Sequence, residues 1–272
     1  MPELPEVEAV CRQLAPLVIG SKVVNLDLKL PRIIREGNVD HLLGVTFLSV
    51  ERFGKFIQMR TTTHISLFVH LRMTGQLLWE PAVNLKDRYV RCIITTDRGE
   101  LYFRDVRTLG GFWVCDSDRP PWKNLGMDPL IREFSVGYLS QRFSTRKVPI
   151  KCLLLDQTIV AGIGNIYASE ILFSARINPQ RLAESLSPPE IIRLHGAIVE
   201  ILQKAIESKG TTFKDFRLSD GKEGEFNESL KVYAHQDDAC TVCKSSILRI
   251  VQSGRSSYYC PQCQPHVIPK AS

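Results

Sequence analysis

The sequence has no long apolar run and no internal repeat. Its apolar stretches are all too short to span a bilayer, and no similarity recurs at a period of roughly 20–50 residues, which argues against a solenoid. The first residues, MPELPEVEAV, are acidic and lack the basic segment and apolar segment that mark a secretory signal. We therefore expect a cytoplasmic protein built from ordinary packed domains.

A strong excess of charge is also missing. Lys and Arg total 35 against 29 for Asp and Glu, which gives a net charge of +6. This excess is compatible with a polyanionic partner, but many basic enzymes bind no nucleic acid, so charge alone does not decide the class. Hydrophobic residues make up 44% of the 272 residues, which is enough for the core of one large domain or two ordinary ones.

The histidines show no spacing typical of a metal site, whereas the cysteines do. Four of the eight cysteines are isolated, and four form the pattern Cys240-x2-Cys243 followed, after sixteen residues, by Cys260-x2-Cys263. Paired thiolates at this spacing close a tetrahedral site with no position open for water, which predicts one structural zinc ion. Two disulfides are the alternative, and the lack of a secretion signal disfavours them.

The first helix is predicted over residues 5–18. Pro5 suits a first helical turn, apolar residues recur at helical spacing from Val7 to Leu14, and Gly20 ends the pattern. The next hundred residues are rich in branched and aromatic residues broken by turn residues. They predict short strands packed as a sandwich or a barrel.

The stretch SDRPPWKNLGMDPL, rich in Pro, Asp and Gly, marks a boundary near residues 120–132. Beyond it the pattern is helical, most clearly in SPPEIIRLHGAIVEILQKAIESKG, where Ser187 and Glu190 form a predicted capping box. The predicted fold class is therefore α+β and multidomain. Its parts are an N-terminal helix with a β domain over 1–125, a helical domain over 133–225 and a metal-bound hairpin over 230–264.

The stretch DQTIVAGIGNIYASE joins an apolar segment to a helical pattern through two glycines. Asn165 is predicted to cap this helix, and a helix N-terminus with unbonded amides binds phosphate well. The third glycine of a dinucleotide-binding fingerprint and its β-α-β context are both missing, which excludes that class. On these residues alone, a helix joint in which Asn165 is only a cap is the stronger interpretation.

The amino terminus contains residues that could act as an amine nucleophile and as its acid–base partner. Methionine before a small residue is normally removed, which would leave Pro2 with a secondary amine. An α-amino group ionises at about pH 8, well below lysine, so part of it is neutral and nucleophilic. Condensation at C1′ of a sugar gives an iminium ion that acidifies the C2′ proton, so phosphate can leave by elimination. Glu3 would be the nearest acid and base. On these residues alone, an ordinary helix start is the stronger interpretation.

Two isolated basic residues have positions from which they could reach a phosphate. Lys55 follows a glycine within RFGKF, where it could also lower the pKa of a nearby amine by charge repulsion. Arg255 lies beside the predicted Ser253-Gly254 turn of the metal-bound hairpin. A surface lysine and a solvated arginine are the alternatives.

Several stretches together resemble one family. MPELPEVE, GKF, HLRMTG, DVRTLGG, GIGNIYASE, DGKEGEF…LKVY and CTVC…GRSSYYCPQCQ are similar, in this order, to motifs of bacterial formamidopyrimidine-DNA glycosylases, which remove 8-oxoguanine. The resemblance covers nearly the whole chain. It implies a β-sandwich led by a catalytic helix, then a helix-two-turns-helix domain with a zinc-finger β-hairpin. The implied enzyme excises oxidised purines from duplex DNA and cleaves the resulting abasic site by β,δ-elimination. It is expected to be a monomer in the bacterial cytoplasm that associates with the nucleoid by binding DNA.

The resemblance also implies roles for single residues. Pro2 matches the nucleophile, Glu3 the general acid and base, Glu6 a supporting carboxylate and Lys55 the lysine at the lesion. Three further residues match groups that hold phosphates: Lys151, Asn165 and Arg255.

Other matched residues belong to the handling of the displaced base. Met73 and Arg107 match side chains inserted where the base has been rotated out of the duplex, which helps to offset the lost stacking. Residues 220–229 match a flexible loop that covers the everted base.

The sequence departs from the family pattern after Arg107, where the usual Lys-Phe pair is replaced by Thr108-Leu109. Leu109 can still fill a gap in the duplex as an aliphatic wedge, but it stacks poorly on a base. Two alternatives therefore stay open. One is an endonuclease VIII-like glycosylase for oxidised pyrimidines, although that group usually begins Pro-Glu-Gly-Pro and this chain has Leu4. The other is a damaged-DNA-binding protein that has lost catalysis.

Overall fold

The computed structural model describes residues 1–79, 87–212 and 216–266. In chain order its helices and strands are α1 (Leu4–Val18), β1 (Val23–Leu28), β2 (Ile34–Glu36), β3 (Phe47–Phe53), β4 (Phe56–Thr61), β5 (Ile65–His70), β6 (Gly75–Trp79), β7 (Val90–Thr96), β8 (Gly99–Asp105), β9 (Gly111–Asp116), α2 (Val136–Phe143), α3 (Ile150–Leu155), α4 (Asn165–Ser174), α5 (Pro188–Glu207), β10 (Leu248–Gln252) and β11 (Arg255–Tyr259). The predicted order of helix, β region, helical region and hairpin is confirmed. Within these ranges no helix is both long enough and apolar enough to cross a membrane.

The chain forms two compact units. The first contains residues 1–123 and 205–227, and the second contains the rest of the described chain. The end of α5 and the residues after it therefore belong with the N-terminal β domain, whereas the predicted helical domain ran from 133 to 225. The physical reason is burial, because Phe216 and Leu218 pack into the core of the first unit.

The first unit is a β-sandwich. One sheet has the strand order β1-β7-β8-β6, and the other has the order β2-β9-β5-β4-β3. Neighbouring strands are antiparallel except β2 and β9, which run parallel. The two strands predicted around the Asp-Arg-Gly turn are β7 and β8, with Thr96 paired to Gly99.

Alternating residues of the strands build the core of this unit. These core residues are all 1% exposed or less: Ile57, Met59, Leu67, Val69, Cys92, Ile94, Leu101 and Phe103. The predicted apolar stripe of α1 packs against them through Val7, Val10 and Leu14. Since successive side chains of a strand point to opposite faces, this alternation sets which residues remain available at strand ends and loops.

An ion pair fixes α1 to the second sheet. Glu8 accepts a hydrogen bond from Arg52 Nε of β3 at 2.9 Å and one from Arg12 Nε at 2.8 Å. Burial alone would raise the pKa of Glu8, but the hydrogen bonds and charges of the two arginines outweigh it and hold that pKa below its ordinary value. The helix that carries the amino terminus is therefore held in place by charge as well as by packing.

The second unit combines helices with the cysteine-bearing hairpin of β10 and β11. Glu170 of α4 anchors the segment that leads to the hairpin, since its carboxylate accepts the backbone N–H groups of Lys231, Val232 and Tyr233 at 2.8–3.0 Å. Burial raises the pKa of Glu170 even though these hydrogen bonds oppose the shift. A buried acid at the end of the GNIYASE motif thus ties the helical part of the unit to its hairpin.

The start of α5 follows the sequence prediction. Glu190 accepts the N–H of Ser187 at 2.8 Å and its hydroxyl at 2.9 Å, as expected for the carboxylate arm of a capping box. Arg181 Nη1 lies 3.1 Å from the same carboxylate, which fixes the preceding loop to the helix.

Candidate functional site

The amino-terminal residues form a reciprocal cap at the start of α1. Glu3 is the N-cap residue, and its carboxylate accepts the N–H of Glu6. The Glu6 carboxylate in turn accepts the N–H of Glu3 at 2.7 Å. Pro2, Glu3 and Glu6 are buried, while Met1 is 49% exposed. Two buried carboxylates therefore lie in the cap that directly follows Pro2, the residue that would carry the amine once Met1 is removed.

Glu6 also binds a segment from late in the chain. Its Oε1 accepts the N–H of Thr211 at 2.7 Å. Gly210 has φ +80°, and a Cβ at this position would lie 2.6 Å from Glu6 Oε1. A Cβ on Gly224 would lie 2.3 Å from the carbonyl oxygen of Gly210. Only glycines permit this close approach of the backbone to the amino terminus. The sequence does not reveal this contact, because its partners are 205 positions apart.

Lys55 lies in the tight turn between β3 and β4, where Phe53 pairs with Phe56 and Gly54 has φ 59°. Its side chain is not on the open surface, since the residue is only 8% exposed. This burial disfavours the simple surface lysine that was the alternative for this position. A phosphate or lesion contact by Lys55 stays a prediction.

His70 is a further candidate site residue, one of the histidines whose spacing gave no sign of a metal site. It is opposite Phe56 in the β4–β5 register, with ring centroids 4.6 Å apart, and it is 6% exposed. Burial first, and then the charges of Arg72 and Lys55, lower the pKa of His70 to about 3. His70 is therefore neutral near pH 7, with its Nδ1 accepting the N–H of Arg72 at 2.9 Å. No signal in the sequence identifies His70, because its neighbours are set by the strand pairing with Phe56, next to Lys55.

The three predicted inserting residues lie in two neighbouring loops, 71–74 between β5 and β6 and 106–110 between β8 and β9; we call them the insertion loops. Arg107 Nη1 is 3.3 Å from the sulfur of Met73. Met73 and Leu109 are large apolar side chains, and they are 41% and 43% exposed. The structure therefore presents Met73, Arg107 and Leu109 at the surface together.

The structure buries Lys151, although the resemblance implies that it holds a phosphate. The residue is 1% exposed, and its Nζ donates hydrogen bonds to Ser256 O and Ser257 Oγ, both at 2.8 Å. Lys151 therefore fixes α3 to the strand that begins with Arg255. A direct phosphate contact by Lys151 stays a prediction.

Arg255 has the position expected beside a tight turn. Ser253 and Gly254 take φ values of 47° and 73°, which are typical of the two central residues of a type I′ hairpin turn. Gln252 pairs with Arg255 directly across that turn, and Arg255 is exposed. The hairpin therefore projects a guanidinium at its tip.

The predicted cap at Asn165 is wrong by one residue. Gly164, with φ −129° and ψ −161°, is the N-cap of α4, and Asn165 is already the first helical residue. The extended backbone of Gly164 makes it the last residue outside the helix. Asn165 Oδ1 is buried and has no hydrogen-bond partner within the described ranges. A phosphate contact by the Asn165 side chain stays a prediction.

The four clustered cysteines converge as their spacing predicted. Their sulfur atoms all lie within 4.8 Å of one another, with Cys240 and Cys263 at 3.9 Å and Cys243 and Cys260 at 3.3 Å. A tetrahedral ion with zinc–sulfur bonds of about 2.3 Å would place the sulfurs ~3.8 Å apart. The donor set and its size therefore fit one structural zinc ion.

Three family models match the chain. The formamidopyrimidine-DNA glycosylase N-terminal domain matches residues 1–112, and the formamidopyrimidine-DNA glycosylase H2TH domain matches residues 125–217. A zinc finger found in FPG and IleRS matches residues 238–265. The β-sandwich, helix-two-turns-helix domain and zinc-finger hairpin expected from the sequence are thus confirmed, and the cysteine cluster holds one structural zinc ion.

Similarity to known proteins extends over almost the full chain. A formamidopyrimidine-DNA glycosylase of Pelotomaculum thermopropionicum is 40% identical over 273 residues, covering 97% of this chain and 99% of the relative. Lactococcus lactis Fpg in complex with abasic-site DNA is 31% identical, with a TM-score of 0.91 and coverage of 97% and 100%. A variant of that Fpg bound to Fapy-dG-containing DNA has 31% identity, the same coverage and a TM-score of 0.92. This chain therefore belongs to the formamidopyrimidine-DNA glycosylase family.

Proposed function

We propose that this protein is a base-excision repair enzyme that removes 8-oxoguanine and formamidopyrimidines from duplex DNA and then cleaves the abasic site by β,δ-elimination. The observation that carries the proposal is the reciprocal cap that follows the buried Pro2, in which the Glu3 and Glu6 carboxylates bind each other's backbone N–H and Glu6 also binds Thr211. Similarity to proteins named formamidopyrimidine-DNA glycosylase, and to Fpg bound to abasic-site DNA and to Fapy-dG-containing DNA, supports the substrate class.

The proposed reaction uses the amine of Pro2 after removal of Met1. The amine nitrogen attacks C1′ as the bond to the damaged base breaks, and the base leaves with a proton. Glu3 protonates the sugar ring oxygen as the ring opens, which leaves an iminium ion between Pro2 and C1′. Loss of the C2′ proton to a base then expels the 3′ phosphate, and a second elimination expels the 5′ phosphate. Water finally hydrolyses the iminium and restores the amine.

The other residues hold the reactants. Glu6 fixes the backbone of Glu3, which orients the acid and base. Lys55 supplies a buried cation for a phosphate near the lesion, and Arg255 supplies an exposed one at the hairpin tip. The enzyme acts as a monomer in the bacterial cytoplasm, where its duplex substrate lies.

Borohydride trapping tests this function. Duplexes with 8-oxoguanine, a formamidopyrimidine, an oxidised pyrimidine or an abasic site are mixed with the protein and reduced, and the covalent complex is measured. We expect the strongest trapping on purine lesions opposite cytosine, since the reduced iminium links Pro2 to C1′. Glu3→Gln should lower the trapping rate on base lesions by about 100-fold or more.

The matched control is the same chain with an uncleaved extension before Pro2, which keeps the fold but blocks the amine. It should give no adduct, and mass spectrometry confirms the state of the terminus in both proteins. If the processed chain also gives no adduct with any substrate, it is a binding protein without catalysis. Preferential trapping on the oxidised pyrimidine would instead support the endonuclease VIII-like alternative.

A further inference from the structure

The backbone of insertion loop 106–110 is bound from outside by an arginine of β2. Arg35 Nη2 lies 2.9 Å from Gly110 O and 3.4 Å from the carbonyl oxygens of Thr108 and Leu109. A single amino group, Nη2, therefore lies within hydrogen-bond distance of three consecutive carbonyl oxygens, and its shortest contact is the one to Gly110 O.

A second arginine binds the start of the same loop. Arg91 of β7 donates from Nε to Asp105 O at 2.8 Å, and its Nη2 is 3.4 Å from Val106 O. Together the two arginines contact the carbonyls of every residue from Asp105 to Gly110 except Arg107. The loop is thus tied to strands on both of its sides, β2 and β7.

The amides of the loop are bound from inside by Asp105, which is fully buried. Its Oδ2 accepts the N–H of Gly110 at 2.8 Å, and its Oδ1 accepts the N–H of Arg107 at 3.2 Å. The hydroxyl of Thr74 donates to Oδ1 of Asp105 and accepts the N–H of Arg107 at 3.0 Å. Because Thr74 belongs to the first insertion loop, this carboxylate joins the loop of Met73 to the loop of Arg107.

The backbone of the loop shows that this anchoring is tight. Thr108 has φ 55°, a left-handed conformation that is unfavourable for a β-branched residue and persists only where the surroundings enforce it. A Cβ on Gly110 would lie 3.1 Å from Asp105 Oδ2, and one on Gly111 would lie 2.7 Å from Arg35 Nε. The glycines after Leu109 thus make room for the two groups that bind the loop.

We propose that Asp105 is a positioning residue for base displacement, with Thr74, Arg35 and Arg91 as its partners, and that it holds the backbone beneath Arg107 in the conformation that enters the duplex. The inference rests on the proposed function. A side chain that fills the space of a displaced base has to hold its position while the base tends to restack. Ordering this side chain and its backbone costs conformational entropy, and a backbone that is already ordered before binding reduces that cost. Asp105 acts through the loop, since its buried carboxylate is fully engaged with Thr74 and the loop amides.

The test compares Asp105→Asn with Asp97→Asn. Asp97 is the matched control because it also accepts a backbone N–H, that of Lys22 at 2.9 Å, but at the opposite end of the β7–β8 hairpin. In the free protein, hydrogen exchange at the amides of Arg107 and Gly110 should accelerate at least tenfold in Asp105→Asn and stay unchanged in Asp97→Asn. Thr74→Val should also accelerate exchange at the amide of Arg107. This second variant keeps the test valid if Asp105→Asn folds poorly.

The functional arm is a double-mutant cycle on excision from a lesion-bearing duplex. Asp105→Asn should lower kcat/KM by about 10- to 100-fold, and Arg107→Ala should lower it similarly, but the double variant should lose less than threefold beyond Arg107→Ala alone. Full multiplication of the two losses would overturn the proposal, since Asp105 would then act independently of the loop. Unchanged exchange at both amides would overturn it as well. Hydrogen exchange is measured without DNA, so it tests the anchoring of the loop independently of activity. An inactive wild-type protein would refute the proposed function but would not change the result of the exchange experiment.

Discussion

At the scale of the single residue, burial changes what a side chain can do. His70 has an ordinary sequence context, yet burial and two neighbouring cations lower its pKa to about 3. Its imidazole therefore stays neutral as a hydrogen-bond partner beside Lys55 across the range in which an exposed histidine would titrate. No residue pattern reveals this, because the shift depends on which groups the strand register brings together.

The low pKa of His70 predicts a pH dependence of stability. Below pH ~6.5 the unfolded chain takes up a proton on this histidine and the folded protein does not, so unfolding becomes more favourable as the pH falls. His70→Asn keeps an acceptor for the Arg72 N–H but cannot titrate. Between pH 6.5 and 5 the wild type should lose about 1.6 kcal/mol more of unfolding free energy than the variant.

Urea unfolding followed by circular dichroism measures this difference. The two proteins should show the same pH dependence above pH 7.5, where histidine is neutral in both folded and unfolded chains, and this range is the internal control. Parallel curves down to pH 5 would contradict the assigned pKa.

Lys151 shows how far a residue can be predicted from a motif. The resemblance identified it as a group that holds phosphate, but the structure places its Nζ on Ser256 and Ser257 of the hairpin. A motif preserves the residue type without stating which atoms it meets, and these partners are 105 and 106 positions away. The resemblance therefore carried no information about the contacts that Lys151 makes within the chain.

At the scale of the element, local sequence patterns predicted caps, turns and the metal site better than they predicted contacts between distant residues. The Glu190 arm of the predicted capping box, the turn at Ser253 and the four-cysteine cluster are all present, because each depends on residues close in sequence or on a fixed ligand spacing. The start of α4 was misplaced by one residue, because Asn165 has a strong cap preference that the extended backbone at Gly164 overrides. The anchoring of loop 106–110 could not be predicted, since Arg35 is 75 positions from Gly110.

The fold of the hairpin formed by β10 and β11 should depend on its zinc ion. Cys260→Ser removes one of four thiolates, so the variant should lose its zinc and the ordered tip that carries Arg255, because structural zinc supplies folding free energy to small domains. Affinity for lesion-bearing duplex should fall at least tenfold. Zinc content by atomic absorption and binding by fluorescence anisotropy measure the two effects.

The control for this variant is Cys115→Ser, which changes a cysteine outside the cluster. It should retain one zinc per chain and full affinity. The β-sandwich should also remain folded in Cys260→Ser, as judged by its urea transition, because the cluster lies in the other compact unit. A Cys260→Ser protein with full zinc and full affinity would refute the structural assignment.

At the scale of the whole molecule, chain order and spatial grouping differ. The first unit is completed by residues 205–227, which come after most of the helical domain. This segment supplies the amide that binds Glu6 and two side chains of the sandwich core. The predicted boundary at residue 225 followed the linear order of motifs, and linear order carries no information about which core a later segment joins.

This grouping predicts that residues 1–123 do not form a stable domain alone. The fragment would lack Phe216 and Leu218, which are 6% and 1% exposed in the intact chain, and would expose the apolar surface that they cover. Loss of two such side chains from a core costs on the order of 5–10 kcal/mol, comparable with the total stability of a domain. The fragment should therefore show a weak, non-cooperative urea transition.

A matched fragment adds residues 205–227 to 1–123 through a flexible Gly-Ser linker. It should regain a cooperative transition, because the core and the Glu6–Thr211 hydrogen bond are both restored. A third fragment with Leu218→Asp in the added segment separates core burial from mere chain length, and it should behave like residues 1–123 alone. Equal and cooperative unfolding of all three fragments would show that the sandwich is complete without its late segment.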